Sequence, residues 1–284
     1  MMRSLTGHRF TKGFSLLEMA IVLAIVGALI GGLLPMISGQ METRHIRGTR
    51  KQLDEAKEAL IGFVMANGRL PCPASSTSNG QESFCTNTTP AACGTEVVSP
   101  IPSHGRCKYP FNGYLPGATL GMTPISSQGY ILDGWNNPVR YAVTTVTSTP
   151  NIFTFTAPGA IQAAVQASGS FANLKPDLTV CASSPNPLSP SQAMAGSPWC
   201  GSATSLTTTA PAVIYSTGTN GNFGNGSADE LANASPYANP TGSPNSYEDK
   251  VFVSHDQTPA YDDLVVWISP NSLINRLVAV GKLP

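Results

Sequence analysis

An uninterrupted apolar run near the start of the chain is its strongest pattern. Met19 to Met41 are 23 residues without a charge. A helix of about 20 apolar residues spans a bilayer core of ~30 Å, so this run predicts a membrane-spanning helix. Arg3, Arg9 and Lys12 precede the run, which predicts that the N-terminus stays in the cytoplasm and that the remainder faces outward.

A second helical pattern follows without a break over residues 37–66. Apolar residues recur there mostly at steps of three and four, with charged residues on the other faces: Ile46, Leu53, Ala56, Leu60, Phe63 and Val64. This spacing predicts an amphipathic helix with one buried stripe. Asn67-Gly68 followed by Leu70-Pro71 predicts where that helix ends.

The remaining residues, 67–284, predict short strands separated by long loops. Runs rich in apolar and β-branched residues predict strands at 139–147, 152–156, 213–216 and 264–268, and residues 269–283 predict a short amphipathic helix. Residues 71–110 are rich in Pro, Ser, Thr and Cys and predict a disulfide-pinned loop region. The low apolar content of residues 183–210 and 217–247 predicts surface loops.

Composition points to an exported protein with little net charge. Charged residues make up 11% of the chain, with 27 Gly and 24 Pro, and the formal net charge is 0. No Lys/Arg cluster is dense enough to predict nucleic-acid binding, which needs such a cluster on one face. The absence of GxSxG, HExxH and phosphate-binding glycine motifs argues against an enzyme.

Six cysteines follow the apolar run, and their wide spacing favours disulfides over a zinc site. Six cysteines allow 15 connectivities, which the sequence alone leaves open. The pairing that we expect is a nested pair of loops and one separate loop: Cys72–Cys107 around Cys85–Cys93, and Cys181–Cys200.

The junction before the apolar run carries a recognisable motif. A basic leader ends in a glycine, an aromatic residue follows, and the fifth residue after the glycine is acidic: Lys12-Gly13-Phe14-Ser15-Leu16-Leu17-Glu18. This segment resembles the processing motif of type IV pilins and type II secretion pseudopilins. Two alternatives are an ordinary cleaved signal peptide and a plain membrane anchor, but neither explains the costly carboxylate of Glu18 in an apolar segment.

The resemblance implies a processing pathway and a set of partners. A prepilin peptidase would cut between Gly13 and Phe14 and methylate the new N-terminus on Phe14. Glu18 would then pair with the ammonium of a neighbouring subunit during assembly, because an unpaired buried charge is costly. The implied partners are other pilin or pseudopilin subunits, the peptidase, the inner membrane, and a platform protein with a cytoplasmic ATPase.

The same resemblance implies the fold and the domain order. We expect an α+β, pilin-like fold in which a long N-terminal helix packs on an antiparallel sheet with loop-rich, disulfide-linked insertions. Residues 1–13 would be the leader, 14–36 the transmembrane half of the helix, 37–66 its amphipathic half, and 67–284 a periplasmic or extracellular head. The expected location is the inner membrane as a single-pass protein, followed by a filament in the periplasm or at the cell surface.

The expected function is that of a structural subunit, a minor pilin or minor pseudopilin, because the head is large. The alternative is a pilin-anchored adhesin or a carbohydrate- or protein-binding head, for which an exposed aromatic groove in residues 150–250 would be evidence. The segment 133–141 also resembles the turn and first strand of the sheet in major pseudopilins.

No organic cofactor is expected, but one oxygen-rich segment resembles the calcium loop of major pseudopilins. It offers four candidate ligands: Asn220, Asn222, Asp229 and Glu230. Asp262 and Asp263 are additional donors from elsewhere in the sequence. Asn stands where a charged ligand would bind calcium more strongly, and a solvated Asn/Gly turn is the alternative.

Overall fold

The structure is a computed structural model that describes residues 15–88, 93–184, 200–221, 227–233 and 250–284, apart from the side chains of residues 31–39. The chain divides into two compact units, Met1–Ile46 and Arg47–Pro284. Within the part of the chain so described, no helix has a stretch both long and apolar enough to cross a membrane.

Helix α1 covers Leu16–Asn67. In the second unit it buries one stripe completely, formed by side chains three or four residues apart: Leu53, Ala56, Leu60 and Val64. This is the stripe that the sequence predicts. The helix ends where Gly68 adopts a φ of +68° and donates its N–H to the carbonyl of Val64 at 2.7 Å. Glycine adopts this left-handed conformation without steric cost.

A four-stranded antiparallel sheet forms the centre of the second unit. Its strands are β3 (Gly113–Tyr114), β4 (Arg140–Val143), β9 (Ala212–Ser216) and β11 (Leu264–Ile268), in the order β11-β9-β4-β3. One face of this sheet contributes Ala142, Val213 and Tyr215 to the core, because residues two apart in a strand share a face. The α+β prediction with an antiparallel sheet is confirmed.

A second sheet joins three strands in the order β10-β7-β8. They are β7 (Leu178–Cys181), β8 (Ser205–Ala210) and β10 (Val251–Val253). The β10–β7 pair is parallel, unlike the antiparallel pairing expected throughout. The prediction of a loop over residues 183–210 is wrong for Ser205–Ala210, which form strand β8. The sequence does not reveal this strand because its exposed, threonine-rich residues show no apolar alternation.

Shorter elements complete the second unit. The strand pairs are β1 (Phe84–Cys85) with β2 (Glu96–Val97), and β5 (Thr147–Thr149) with β6 (Ile152–Phe153). The helices are α2 (Gly117–Leu120), α3 (Ala160–Ser168), a 3₁₀ turn at Phe171–Asn173, α4 (Ala228–Asn233) and α5 (Pro270–Ala279). Helix α4 lies inside the range 217–247 predicted as a loop, so that prediction is wrong for these residues.

Three disulfides connect all six cysteines: Cys72–Cys107, Cys85–Cys93 and Cys181–Cys200. These are the pairs expected from the sequence. The first two are nested: Cys72–Cys107 joins the loop after α1 to the segment after β2, and Cys85–Cys93 joins β1 to the residues before β2. The third joins the end of β7 to the residues before β8.

Candidate functional site

Two reciprocal hydrogen bonds close the N-terminal end of α1. The backbone N–H of Glu18 donates to Ser15 Oγ at 3.1 Å, and the backbone N–H of Ser15 donates to Glu18 Oε2 at 2.8 Å. This capping box satisfies two N–H groups that the first helical turn leaves without intrahelical partners. Gly13 and Phe14, the expected cleavage site, lie outside the described residues.

Apolar side chains surround the first turns of α1 on every face. Ile21, Val22 and Leu23 are consecutive, yet their exposed fractions are 52%, 51% and 65%. Consecutive residues of a helix point in directions about 100° apart. Exposed apolar side chains therefore lie on more than one face of this part of α1.

Three carboxylates of the second unit converge where β11 begins. Glu230 comes from α4, while Asp262 and Asp263 directly precede β11. One ligand oxygen of each carboxylate lies within 4.8 Å of the other two. The backbone N–H of Asp262 donates to Glu230 Oε1 at 3.2 Å, which ties the two segments together.

One oxygen of this carboxylate cluster has no hydrogen-bond partner. Asp262 Oδ2 accepts from the backbone N–H of Thr219 at 2.8 Å, but the buried Oδ1 has no partner among the described residues. Gly218 makes the close approach feasible, because a Cβ there would lie 2.2 Å from Oδ1. A buried carboxylate oxygen without a partner is costly, and a bound cation would satisfy it.

The electrostatics of the cluster also favour a cation. Burial, together with the charges of Glu230 and Asp262, raises the pKa of Asp263 to about 8, against a hydrogen bond from Asn233. A divalent cation would offset this repulsion. Calcium takes six to eight oxygens, and the cluster brings together one oxygen from each of its three carboxylates. Glu230, Asp262 and Asp263 could together hold a cation of this kind.

Comparison with known protein families identifies the N-terminal segment. The prokaryotic N-terminal methylation motif matches residues 9–34, a range that contains Gly13, Phe14 and Glu18. This chain carries the prepilin-type processing motif. The motif is the signature of cleavage in type IV pilins and pseudopilins. No curated protein and no solved structure matches the chain.

The prepilin-type motif supports a structural subunit that resembles a pilin or pseudopilin. It implies processing by prepilin peptidase and assembly with other pilin subunits. It also implies anchoring in the inner membrane before the subunit enters a filament in the periplasm or at the surface.

The four residues predicted as calcium ligands do not all belong to the carboxylate cluster of this prepilin-type chain. Glu230 belongs to the carboxylate cluster, and Asn220 donates its side-chain amide to Glu230 Oε2 at 2.9 Å. Asp229 instead accepts from His255, whose Nε2 lies 3.2 Å from Asp229 Oδ2, and this histidine stacks on Tyr261. Asn222 lies outside the described residues.

The turn at residues 133–138 contacts the end of β9 and the loop after it, next to the carboxylate cluster. Asp133 Oδ2 accepts from Ser216 Oγ at 2.6 Å, and Asn137 donates its side-chain amide to the Gly218 carbonyl at 2.7 Å. The backbone N–H of Gly134 donates to Thr49 of α1 at 2.9 Å. Burial raises the pKa of Asp133, although Ser216 and two backbone N–H groups stabilise its charged form.

Sequence reasoning missed a buried ion pair next to the end of α1. Both terminal nitrogens of the Arg69 guanidinium donate to the Glu82 carboxylate, at 2.6 Å and 2.8 Å. The Arg69 side chain is only 4% exposed and that of Glu82 8%. Glu82 also accepts from the backbone N–H of Cys72 at 3.2 Å. The two partners are 13 residues apart in a loop, so no local periodicity indicates their contact.

Sequence reasoning also missed the ionised glutamate in the disulfide-linked region. Glu96 accepts hydrogen bonds from three hydroxyls, those of Ser75, Thr77 and Ser83, and lies 3.4 Å from Lys108 Nζ. Burial disfavours the charged form of Glu96, but these hydroxyls and Lys108 outweigh it and lower the pKa to about 2. The ionised Glu96 thus ties β2 to the loop after α1.

An exposed aromatic groove in residues 150–250 would be evidence for a binding head. Over the described part of that range, Leu206 is the exposed large apolar side chain, and no aromatic side chain is exposed to a comparable degree.

Proposed function

We propose that the protein is a minor pilin or minor pseudopilin of a type IV pilus or a type II secretion pseudopilus. The observation that carries this proposal is the match of residues 9–34 to the methylation motif, with Glu18 in the first turn of α1. The large disulfide-linked head over residues 67–284 favours a minor subunit over a major one.

The same proposal assigns a location and an assembly route. The subunit is a single-pass inner-membrane protein with its N-terminus in the cytoplasm before cleavage. Prepilin peptidase removes residues 1–13 and methylates Phe14. A platform protein and a cytoplasmic ATPase then move the subunit into a filament, where the apolar segment of α1 packs against the helices of other subunits.

Mass spectrometry of the mature N-terminus tests this proposal. We expect a chain that begins at N-methylated Phe14. A Gly13→Leu variant should keep its leader, whereas Gly7→Leu, a glycine of the same leader away from the cut, should be processed normally. A mature chain that begins at or after Ser38, or an intact Met1 or Met2, would contradict the proposal.

We propose, as a separate point, that the carboxylate cluster binds calcium. Support comes from the converging oxygens of Glu230, Asp262 and Asp263 and from the unpartnered Asp262 Oδ1. When bound, the ion neutralises the mutual repulsion of these carboxylates. The residues themselves join α4, the loop after β9 and the start of β11, so binding would stabilise the contact between these elements.

Calcium titration of the full chain, purified in detergent and treated with a chelator, tests the site. At about 100 times Kd, calcium should add about 2.7 kcal/mol to the free energy of unfolding. Glu230→Gln and Asp262→Asn should lose this gain, whereas Asp256→Asn, which removes an exposed carboxylate outside the cluster, should keep it. A gain that persists in both cluster variants would reject the site and leave the filament proposal untouched.

A further inference from the structure

Strand β11 lies at the edge of the four-stranded sheet. All five of its residues, Leu264–Ile268, pair with β9 on one side. No other strand in the described part of the chain pairs with the opposite side. Among the described residues this outer edge is thus unpaired, and an unpaired edge is a template for strand addition.

A groove of about 530 Å³ follows this outer edge. One wall is formed by Leu264, Val265 and Val266, and the other by residues 50, 53 and 54 of α1. Consecutive strand residues point to opposite faces of a sheet. A groove that touches three consecutive residues therefore runs along the edge of β11 and does not lie over one face.

A helix on one side and a strand edge on the other is the geometry that binds an extended peptide by β-strand addition. In such a complex, main-chain hydrogen bonds to the edge give affinity, and the helix wall contacts alternate side chains. The volume lies within the range of about 300–1,000 Å³ that is usual for binding sites. Leu53 is the apolar residue of the α1 wall.

The charges around the groove favour peptides with basic side chains. Two exposed acids, Asp54 and Asp256, lie in its lining, and Arg50 is the cationic side chain on the α1 wall. Acidic groups thus outnumber the permanent cation. A peptide with a lysine or arginine complements these walls, whereas an acidic peptide is repelled.

We propose that this groove, between the outer edge of β11 and α1, binds an extended peptide segment of a partner protein that carries at least one lysine or arginine. The segment adds a fifth strand to the sheet, and its basic side chain lies near Asp54 or Asp256. The contacts to the peptide use Asp54, Asp256 and the backbone of β11, none of which is a proposed calcium ligand, whereas Asp263 belongs both to the groove lining and to the carboxylate cluster.

Selection from a random library of eight-residue peptides on the full chain, held in detergent micelles, tests the proposal. The expected peptides alternate β-branched residues with other residues and contain lysine or arginine. Asp54→Phe, which fills the α1 wall of the groove, should weaken their binding at least about tenfold. Glu58→Phe, one turn further along α1 and outside the lining, should leave binding unchanged.

Two further measurements separate strand addition from other binding. Bound peptide should slow hydrogen exchange of the backbone amides in 264–268, and Asp54→Asn with Asp256→Asn should reduce the preference for basic peptides. The proposal is overturned if no peptide is enriched over empty micelles or if the enriched peptides bind Asp54→Phe equally. It is also overturned if sedimentation shows that a second copy of this chain occupies the edge.

Discussion

The Arg69 guanidinium and the Glu82 carboxylate form a buried pair whose members depend on each other. The guanidinium also lies 5.2 Å from the centre of the Phe63 ring and 5.8 Å from that of Phe84. Water is thus replaced around this charge by two aromatic rings and one carboxylate. Removing the carboxylate would leave a buried cation without a counter-charge.

We therefore expect Glu82→Gln to lower the free energy of unfolding by ~3–5 kcal/mol. The matched control is Glu55→Gln, which breaks the exposed pair of Lys51 and Glu55 at 3.5 Å and should cost less than ~1 kcal/mol. Urea unfolding followed by tryptophan fluorescence measures both. Equal effects of the two variants would show that Arg69 does not need Glu82.

The raised pKa of Asp263 predicts how stability depends on pH when the cluster holds no cation. Because the folded state binds this proton more tightly than the unfolded state, the contribution is fully present below a pH of about 4 and is lost as pH rises through about 8. Asp133, whose pKa is also raised by burial, adds to the same trend.

In the presence of a chelator, the free energy of unfolding should thus fall between pH 5 and pH 8, by roughly 1 kcal/mol or more. Asp263→Asn should flatten this part of the profile, while Asp256→Asn, an exposed carboxylate, should not. Denaturant unfolding at a series of pH values gives the profile. A slope that is identical in Asp263→Asn would refute the assignment to Asp263.

Among the elements, α1 shows how one continuous helix has two different environments. Leu60 is fully buried in the second unit, whereas Leu23 is 65% exposed in the first. Leu60→Ala should lower the free energy of unfolding of the second unit by ~2–5 kcal/mol, because it leaves a cavity. Leu23→Ala should leave that free energy unchanged, and a comparable loss would mean that the segment before Ile46 contributes to it.

The elements also show which parts of the fold the sequence predicts. Strand β11 was predicted with the bounds that the structure has, since a run of five apolar residues follows two acids. Strand β8 was missed because most of its residues are exposed and polar, so no alternation marks it. Strands β7 and β10 pair in parallel across about 70 residues, and no local pattern encodes such a contact.

In the candidate site, too, local patterns mark single residues but do not show which of them meet in the fold. Local sequence marked Gly13, Phe14 and Glu18 because they belong to one short motif, and the family model matches the segment that contains them. The role of Glu230 as a calcium ligand stays a prediction. The meeting of Glu230 with Asp262 and Asp263 depends on how α4 approaches β11. The capping role of Glu18 with Ser15 was readable from the Ser-x-x-Glu spacing and was overlooked.

At the scale of the whole molecule, we propose that Glu18 connects processing with assembly. Cleavage before Phe14 would place a new ammonium four residues from Glu18, and the ammonium of a neighbouring subunit would then be a partner for this carboxylate. Glu18→Ala should leave cleavage intact but reduce incorporation into filaments roughly tenfold or more, because an unpaired charge in a dry helix core costs at least ~1.4 kcal/mol.

The control for this assembly prediction is Glu58→Ala, an exposed carboxylate in the second unit. Sheared filaments and whole-cell membranes, probed with an antibody to the head, give the incorporated and unincorporated fractions. Unchanged incorporation of Glu18→Ala would reject the pairing role and leave its capping hydrogen bonds as the function of this residue.

The nested order of two disulfides has a consequence for how the head matures after export. Cys72 leaves the membrane before Cys85, and Cys93 before Cys107. An oxidase that joins thiols as they emerge would connect Cys72 to Cys85 and Cys93 to Cys107, whereas the folded head has Cys85–Cys93 inside Cys72–Cys107. Reaching that arrangement requires exchange through mixed disulfides. The supply of assembly-competent subunits should therefore depend on a disulfide isomerase, and cells without one should accumulate mispaired heads.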